Sequence, residues 1–426
     1  MVATPIPTSL TDLAVTGGEA FERLGFPTRK HEAWRYTSTK AFARFGDRAL
    51  TEPDASLIEA VERRLSELSP APEGGARFVF VGGALVSALT QGDLPEGVSA
   101  RPLSETQLHD LGSIATSEDH AFVALNTQNL VDGLALDVSR STVCEHPIEV
   151  IHIAVPGEAA GHPRLLLRAE PLSEMTLVER FLSLDAGSAM TNAVTEIIAT
   201  GGARVRHVQL VTPSSEANHK AHVGARLGRD SHLSSHVFSL GGAVARTDLH
   251  VRLEEPGAEC SLDGLYLARG SELLDHYVQM EHAAPHTTSG AYYKGVADEK
   301  GIGGFVGRVL IARGANGSAS EQLNNNLLLS DNAFAHTRPQ LEIDNDDVKA
   351  SHGSTVGQLD PDALFYLESR GLSSSTARAM LTLAFAEEMT QRLPLSYLKD
   401  ALKNYISTRL SGAADGALLA AFHEDL

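Results

Sequence analysis

Residues 193–211, AVTEIIATGGARVRHVQLV, carry the reading that decides the fold. Ala193 to Ala199 is a short run suited to a strand, and Gly201-Gly202-Ala203 breaks it. Arg204-Val205-Arg206-His207-Val208-Gln209-Leu210 then alternates polar with apolar residues, the pattern of a strand that buries one face. The same texture spreads outward in both directions. Upstream it gives strands over Ile148 to Ala154, Arg164 to Ala169 and Thr176 to Leu182. Downstream it gives Ala221 to Leu227, His232 to Leu240, Thr247 to Leu253 and Ser261 to Leu267. The separators are short and rich in small residues, as at Gly187-Ser188-Ala189, Gly257-Ala258-Glu259 and Gly314-Ala315-Asn316. No helix-length pattern interrupts this region, which excludes βαβ crossovers and a doubly wound sheet. A β-sandwich or barrel and a stacked β-helix both fit. Small residues at the turns, over a stretch too long for one sandwich, favour the β-helix.

The flanks read differently, and three regions result: a mixed, partly helical region over 1–128, a parallel β-helix core over 129–356, and a helical region over 357–426. In the first, Ser9 and Thr11 introduce a helix carrying Leu10, Leu13, Ala14, Phe21 and Leu24. A second helix runs from Ala55 to Leu68, ended by Pro70, and Arg77 to Gly83 reads as a strand and turn. In the last region Asp360-Pro361 opens a short helix closed by Gly371, and Ser373 to Ser375 caps the next. That helix has the stripe Ala377, Met380, Leu381, Ala384, Phe385 and Met389; Pro394 ends it, and a final helix carries Leu398, Leu402, Ile406 and Leu410. A solenoid needs covered ends; the helical regions at both termini are candidates for that, and closing the core and docking a partner stand as equal readings of these helices.

Composition narrows the chemistry. The chain has 426 residues, of which 42 % are hydrophobic and 5 % aromatic, so a sizeable core of small and branched side chains is expected. The net charge of −19 makes nucleic acid and anionic membrane surfaces poor partners. No apolar run approaches a membrane span and no secretory leader is read, so the cytoplasm is the expected location. Cys144 and Cys260 form no C-x-x-C pair, and two thiols cannot hold a four-iron cluster alone. The dipeptide Gly-Lys is absent, so there is no P-loop.

The densest polar group lies between 275 and 352. His276, His282 and His286 have spacings that match no closed metal-site signature, and they read as structural or hydrogen-bonding residues. Asp344, Asp346 and Asp347 read as a hydrophilic turn. The alternative is the carboxylate cluster of a β-helix carbohydrate hydrolase or lyase, which the scarcity of aromatic sugar platforms disfavours. Cys260 reads as a small core hydrophobe and Trp34 with Arg35 as packing residues.

Four motifs in order carry a resemblance. They are Pro27 to Thr37 (PTRKHEAWRYT), Asn324 to Ser330 (NNNLLLS), His336 to Ile343 (HTRPQLEI) and Asp346 to Gly357 (DDVKASHGSTVG), followed by Leu364 to Leu367, Ser369 to Gly371 and Ala384 to Glu388. The sequence resembles the SufD family of iron–sulfur cluster assembly scaffolds, densely over about 275–390 and recognisably at 26–37. The resemblance implies a right-handed parallel β-helix flanked by helices. It implies pairing with a SufB-like paralogue through the β-helix and with a SufC-like ABC ATPase through the C-terminal helices. It also implies a nascent iron–sulfur cluster shared with the partner rather than a cofactor held stably alone, and no turnover of its own. SufB-like chains carry a cysteine near Asn324 to Asn326 and a glutamate at Gly353, so the sequence falls on the SufD side. Many SufD chains have a cysteine where Ala350 stands, which leaves His352 as the candidate iron or cluster ligand. A neutral imidazole suits iron that must later be released; the alternative is a buried, hydrogen-bonded histidine that closes the last coil. Asp347 and Lys349 read first as a surface turn, with support of this ring as their second reading.

Physics independently favours a partner. The last strands of a β-helix leave N–H and C=O groups unpaired, and a second chain can complete them. That chain is expected to be the paralogue, or another copy in a homodimer when the protein is isolated. Glu387, Glu388, Arg392, Lys399 and Lys403 are expected to offer the ATPase a charged face.

Overall fold

The alternating segments pair in parallel, each with the segment one coil further along. Arg204–Thr212 bonds to His232–Ser239, and the intervening Asn218–Leu227 bonds to Met190–Ala199 and Val244–Leu253 in a second sheet. Repetition of this step gives a β-solenoid in the computed structural model, which describes residues 9–46, 53–68, 74–106 and 108–422. Strand predominates over helix among the described residues. Each coil gives one strand to each of two sheets, one ending at Val348–Gly357 and the other at Phe334–Ile343. The first sheet takes in Arg77–Val81, which pairs in parallel with Ile148–Ala154. Many strands run beyond their alternating segments; Ala221 to Leu227, for example, extends back to Asn218. Backbone pairing with the neighbouring coil carries the ladder through polar residues that have no apolar alternation to announce them.

Side chains facing the lumen stack in columns from coil to coil. Val205, Leu233 and Cys260 form one such column, all buried. Burial raises the Cys260 thiol to about 12, as befits a core residue. Large and small residues alternate within the stack: a Cβ on Gly264 would collide with the Tyr293 ring, and one on Gly295 with Tyr266.

The lumen is not uniformly apolar. The Glu179 carboxylate meets His152 Nε2 at 3.1 Å and His207 Nε2 at 2.9 Å, and accepts a bond from Thr195 Oγ1 at 3.0 Å. Burial alone would raise its pKa, but the hydrogen bonds from His152 and His207 outweigh this and hold it well below the ordinary value. Asn324 and Asn326, in the run where a cysteine would mark the paralogue, close a network with the Tyr266 hydroxyl. Asn324 Nδ2 donates to Tyr266 Oη at 3.1 Å and Asn326 Nδ2 donates to Asn324 Oδ1 at 2.8 Å.

Helices cover the outer faces of the sheets. On the N-terminal side these are α1 (Leu10–Leu24), α2 (Lys40–Ala43), α3 (Ala55–Ser66) and α4 (Ala121–Gln128). Leu13 of α1 joins Ala135, Leu166 and Ile198 on the second sheet. Gly17 lets α1 approach α4 at a distance that no side chain would permit, since a Cβ there would lie 2.6 Å from the Gln128 backbone nitrogen. Val61 and Leu65 of α3 pack on Val79, Ile151 and Ile153 of the first sheet.

The C-terminal helices are α5 (Pro361–Ser369), α6 (Ser374–Gln391) and α7 (Ser396–Phe422). Of the readings open for them, α6 and α7 take that of covering the core: they lie along the flank of the solenoid. Leu383, Ala386 and Met389 of α6, with Leu398, Leu402 and Ile406 of α7, pack against Leu210, Phe238, Leu265 and Val296 on the outer face of the first sheet. Ala384, placed by the sequence in the apolar stripe, is exposed. The charges expected to form a free face are largely engaged. Glu388 pairs with Lys294 and accepts a bond from Tyr292 Oη, Arg392 Nε lies 3.1 Å from Asp263 Oδ2, and Glu387 pairs with Lys403. No helix among the described residues is long and apolar enough to cross a membrane.

Buried imidazoles make the fold acid-sensitive. His276, bonded to Ser239 Oγ at 2.9 Å, and His162 are fully enclosed, and burial depresses both to about 4. The unfolded chain takes up these protons near the ordinary value of about 6.5. Between those values the unfolded state binds more protons, so stability is lost as pH falls from about 6.5 towards 4. Each ring should contribute about 2 kcal/mol of loss between about pH 7.5 and 5, seen as a lower urea midpoint. A midpoint that does not move over that range would show the rings to be charged in the fold.

Candidate functional site

The site is built from the end of the ladder. Val348–Gly357 bonds to Ser318–Leu328 on one side, with Ser320 opposite Ala350 and Gln322 opposite His352, and is the last strand of its sheet. Its other edge presents backbone donors and acceptors with no further strand among the described residues to meet them. Phe334–Ile343 ends the second sheet in the same coil. Both strands are far less buried than the coils before them, and Phe334, Ile343 and Val356 are exposed.

Side-chain alternation places His352 within this edge. Val348 and Ala350 pack against the lumen core, so His352 shares their face. Gly353 faces outward, where a Cβ would lie 3.3 Å from Leu323. His352 therefore tops a lumen column that descends through Gln322, Ala291, Leu262, Ser235 and His207. The residues beneath it are buried and His352 itself is exposed, because the column stops there. Gln322 Nε2 donates to the Gln340 carbonyl at 3.2 Å, which bridges the two sheets directly under this position.

The other sequence candidates fall elsewhere. Lys349 is three residues from His352 and so on the opposite face of the strand. Asp347 lies in the preceding turn, where its carbonyl accepts from Gly317 N at 2.8 Å. Asp344 and Asp346 belong to the same exposed turn, ordered by Asn345, whose Nδ2 donates to Asn316 Oδ1 at 2.6 Å. The three histidines between 276 and 286 do not converge. His276 faces the lumen, and His282 bonds to Thr287 Oγ1 and Ser289 Oγ, each at 2.8 Å. His286 is not on a strand with His282 but in a turn, with φ of 56°.

The opening motif is positioned from inside the molecule. Trp34 is buried, stacks on Phe122 with centroids 5.0 Å apart, and carries the Arg246 guanidinium 4.0 Å above its ring. Tyr36 stacks on His336 at 4.5 Å, and Glu32 pairs with Arg338. Residues 32–36 thus fasten the N-terminal region to the outer face of the last coils.

Sequence reading missed a second histidine group on that face. His120, His222 and His250 bring their ring nitrogens to within 4.8 Å of one another. The signal for it was weak: the step in this coil is 26 residues, so His222 lies opposite Asp248 and His250 opposite Gly224, and the 28-residue offset of the two histidines makes them diagonal neighbours.

The open edge gives a direct expectation. An uncapped strand end is adhesive, so the isolated chain should associate end to end as its concentration rises. The pair Val356→Lys and Phe334→Lys should hold it at 45.3 kDa in sedimentation equilibrium. Stability should change by no more than about 0.5 kcal/mol, as for other surface positions. Monomeric behaviour of the native chain at every concentration would remove this expectation.

Comparison with known proteins agrees with this architecture. Residues 152–385 match the family model described as the SUF system FeS cluster assembly SufBD core domain. The chain is 31 % identical over 411 residues to the iron–sulfur cluster assembly protein SufD of Escherichia coli, covering 92 % of this chain and 91 % of that one. It is 27 % identical to a SufBD family protein of Synechocystis, over 91 % of this chain and 88 % of the relative. Identity to SufD of Bacillus subtilis is 26 %, over 69 % and 68 % of the two chains. This chain belongs to the SufBD family of iron–sulfur cluster assembly proteins and is of the SufD type.

Proposed function

We propose that this chain is the SufD-type scaffold subunit of a SufBCD-type complex, pairing with a SufB-like paralogue across its open end. The observation that carries the reading is the uncapped last coil with His352 exposed at the top of a lumen column. A related solenoid docked there would satisfy the free edge of Val348–Gly357 and continue the stack. The same contact would set His352 beside ligands of the partner. There it acts as one ligand for iron or for the nascent cluster, which is cargo of the assembly and not a resident cofactor. Neutral nitrogen is a borderline ligand for iron, compatible with later release of the cluster. With only two cysteines, both buried, the chain supplies no thiolate at this edge.

The C-terminal helices are the docking element for a SufC-like ABC ATPase. In support, α5 has no buried residue and exposes Phe365 and Tyr366, while α6 is fixed to the solenoid by Lys294–Glu388 and Arg392–Asp263 and α7 by Arg409–Glu272. Helices anchored on one side and open on the other can transmit motion of a partner to the solenoid. In this reading the chain has no turnover of its own.

The test is co-expression with the cognate paralogue and ATPase. The three chains should co-purify, and failure of both partners to do so overturns the assignment. His352→Ala should leave the complex intact while cluster yield after reconstitution, read from visible absorption and iron content, falls roughly tenfold. Unchanged yield would make His352 an edge residue without a part in iron binding.

A further inference from the structure

We propose that His120, His222 and His250 form a metal site separate from the open edge, a three-imidazole site for a divalent first-row transition ion. It lies on the outer face of the second sheet and does not depend on the functional reading above.

Local structure brings the three rings together. His222 and His250 stand on adjacent strands, with Gly224 opposite His250 in the register, so the two histidines are diagonal neighbours. Their flanking residues Ala221, Val223, Leu249 and Val251 face the lumen core, which turns both imidazoles outward. His120 is the residue before α4, and its carbonyl accepts from Ala124 N at 2.8 Å. Helix α4 is locked to the sheet by Asn126, whose Nδ2 donates to the carbonyls of Pro163 and Asn192 at 3.0 and 2.8 Å. Three rigid elements therefore converge, and none of the ligands hangs from a free loop.

The ring geometry is that of convergence, not stacking. Centroid separations are 4.9, 4.8 and 4.8 Å, with interplanar angles of 44°, 77° and 59°. A tetrahedral ion with metal–nitrogen bonds of about 2.0–2.1 Å needs nitrogens about 3.3 Å apart, so small ring rotations from the present separation of up to 4.8 Å complete the site.

The second observation is polar: His222 is 2 % exposed, and neither of its ring nitrogens has a hydrogen-bond partner; His250 Nε2 has none either. A buried polar group left without a partner costs about 1–3 kcal/mol, and these three ring nitrogens on two imidazoles incur that cost repeatedly. A cation bound between them satisfies the free nitrogens at once.

The surroundings do not repel a cation. Lys220 Nζ lies 3.0 Å from Asp248 Oδ2, and Arg246 lies 2.8 Å from Asp248 Oδ1 and 2.6 Å from Asp275 Oδ2. Two cations are matched by two carboxylates. The histidines border a cavity of about 280 Å³ shared with Asp119, Trp34 and Gln279, so a fourth position stays open to water or a small ligand. Three imidazoles with one open position is a recognised arrangement for zinc and is compatible with ferrous iron.

Titration of the full-length protein with Co²⁺ tests this, because four-coordinate Co²⁺ has visible d–d bands. The bands should saturate at one equivalent and be displaced by Zn²⁺. His222→Gln and His120→Asn should each weaken binding at least roughly tenfold, with unchanged circular dichroism. His120→Asn changes a residue outside the sheets and keeps the test decisive if His222→Gln does not fold. His352→Ala should bind Co²⁺ as the native chain does. The proposal falls if the bands do not form, if His120→Asn binds normally, or if His352→Ala abolishes binding.

Discussion

Parallel strand pairing from coil to coil is the constraint from which the rest of this molecule follows. Every coil satisfies its backbone only by leaning on the next, and the ladder runs from Arg77–Val81 to Val348–Gly357 without an antiparallel return at its far end. At the near end, antiparallel partners close both sheets: Ala84–Leu85 turns back on Arg77–Val81, and Val98–Pro102 pairs with Leu134–Val138. The two ends are therefore chemically different. One is finished by antiparallel strands, and the other presents a row of peptide groups that no strand among the described residues meets.

That asymmetry explains where the helices go. Outer sheet faces carry Leu210, Phe238 and Leu265 on one side and Ala135, Leu166 and Ile198 on the other, and these need cover more than the ladder end does. Buried charge then fixes the cover in register. Arg164 reaches Glu196 at 2.5 Å, and Glu196 also accepts from the backbone of Gly112, Ile114 and Ala115. Arg246 ties Trp34 to Asp248 and Asp275. Pairs this deeply buried add little net stability over an apolar replacement, but breaking one partner leaves an uncompensated charge. They specify which surface the N-terminal region meets, and none of them involves Val348–Gly357.

Much of this was legible along the chain because its signals are local. Alternation at 204–210 has a period of two, and the glycine at 201–202 supplies the left-handed conformations of the turn. Helix starts at Ser9 and Ser373 are equally local, each capping through its own side chain. The destination of a helix face is not local. The stripe on α6 shows that one side is buried without showing whether it covers the end or the flank. Coil length is not local either: Asn218 pairs with residues 28 positions before and 26 after, and a period that drifts hides which histidines meet. His352 was visible because its motif is contiguous. His120, His222 and His250 were not, because three separate elements supply them.

The two imidazole sites differ in a way that follows from their positions on the ladder. His352 sits where the stack stops, so its ring has open space above, and in the role proposed for it the rest of the coordination comes from outside the chain. His222 and His250 sit in mid-stack, under a helix fixed by Asn126, so their coordination partners are already present in the same chain. An edge ligand is complete only in an assembly and can therefore let its metal go when the assembly moves. A mid-stack site is complete in the isolated subunit and has no such release built in. On the two proposals the same ladder separates an edge position for transient iron from a mid-stack position for retained metal, and the separation rests on how many coils remain above each ring.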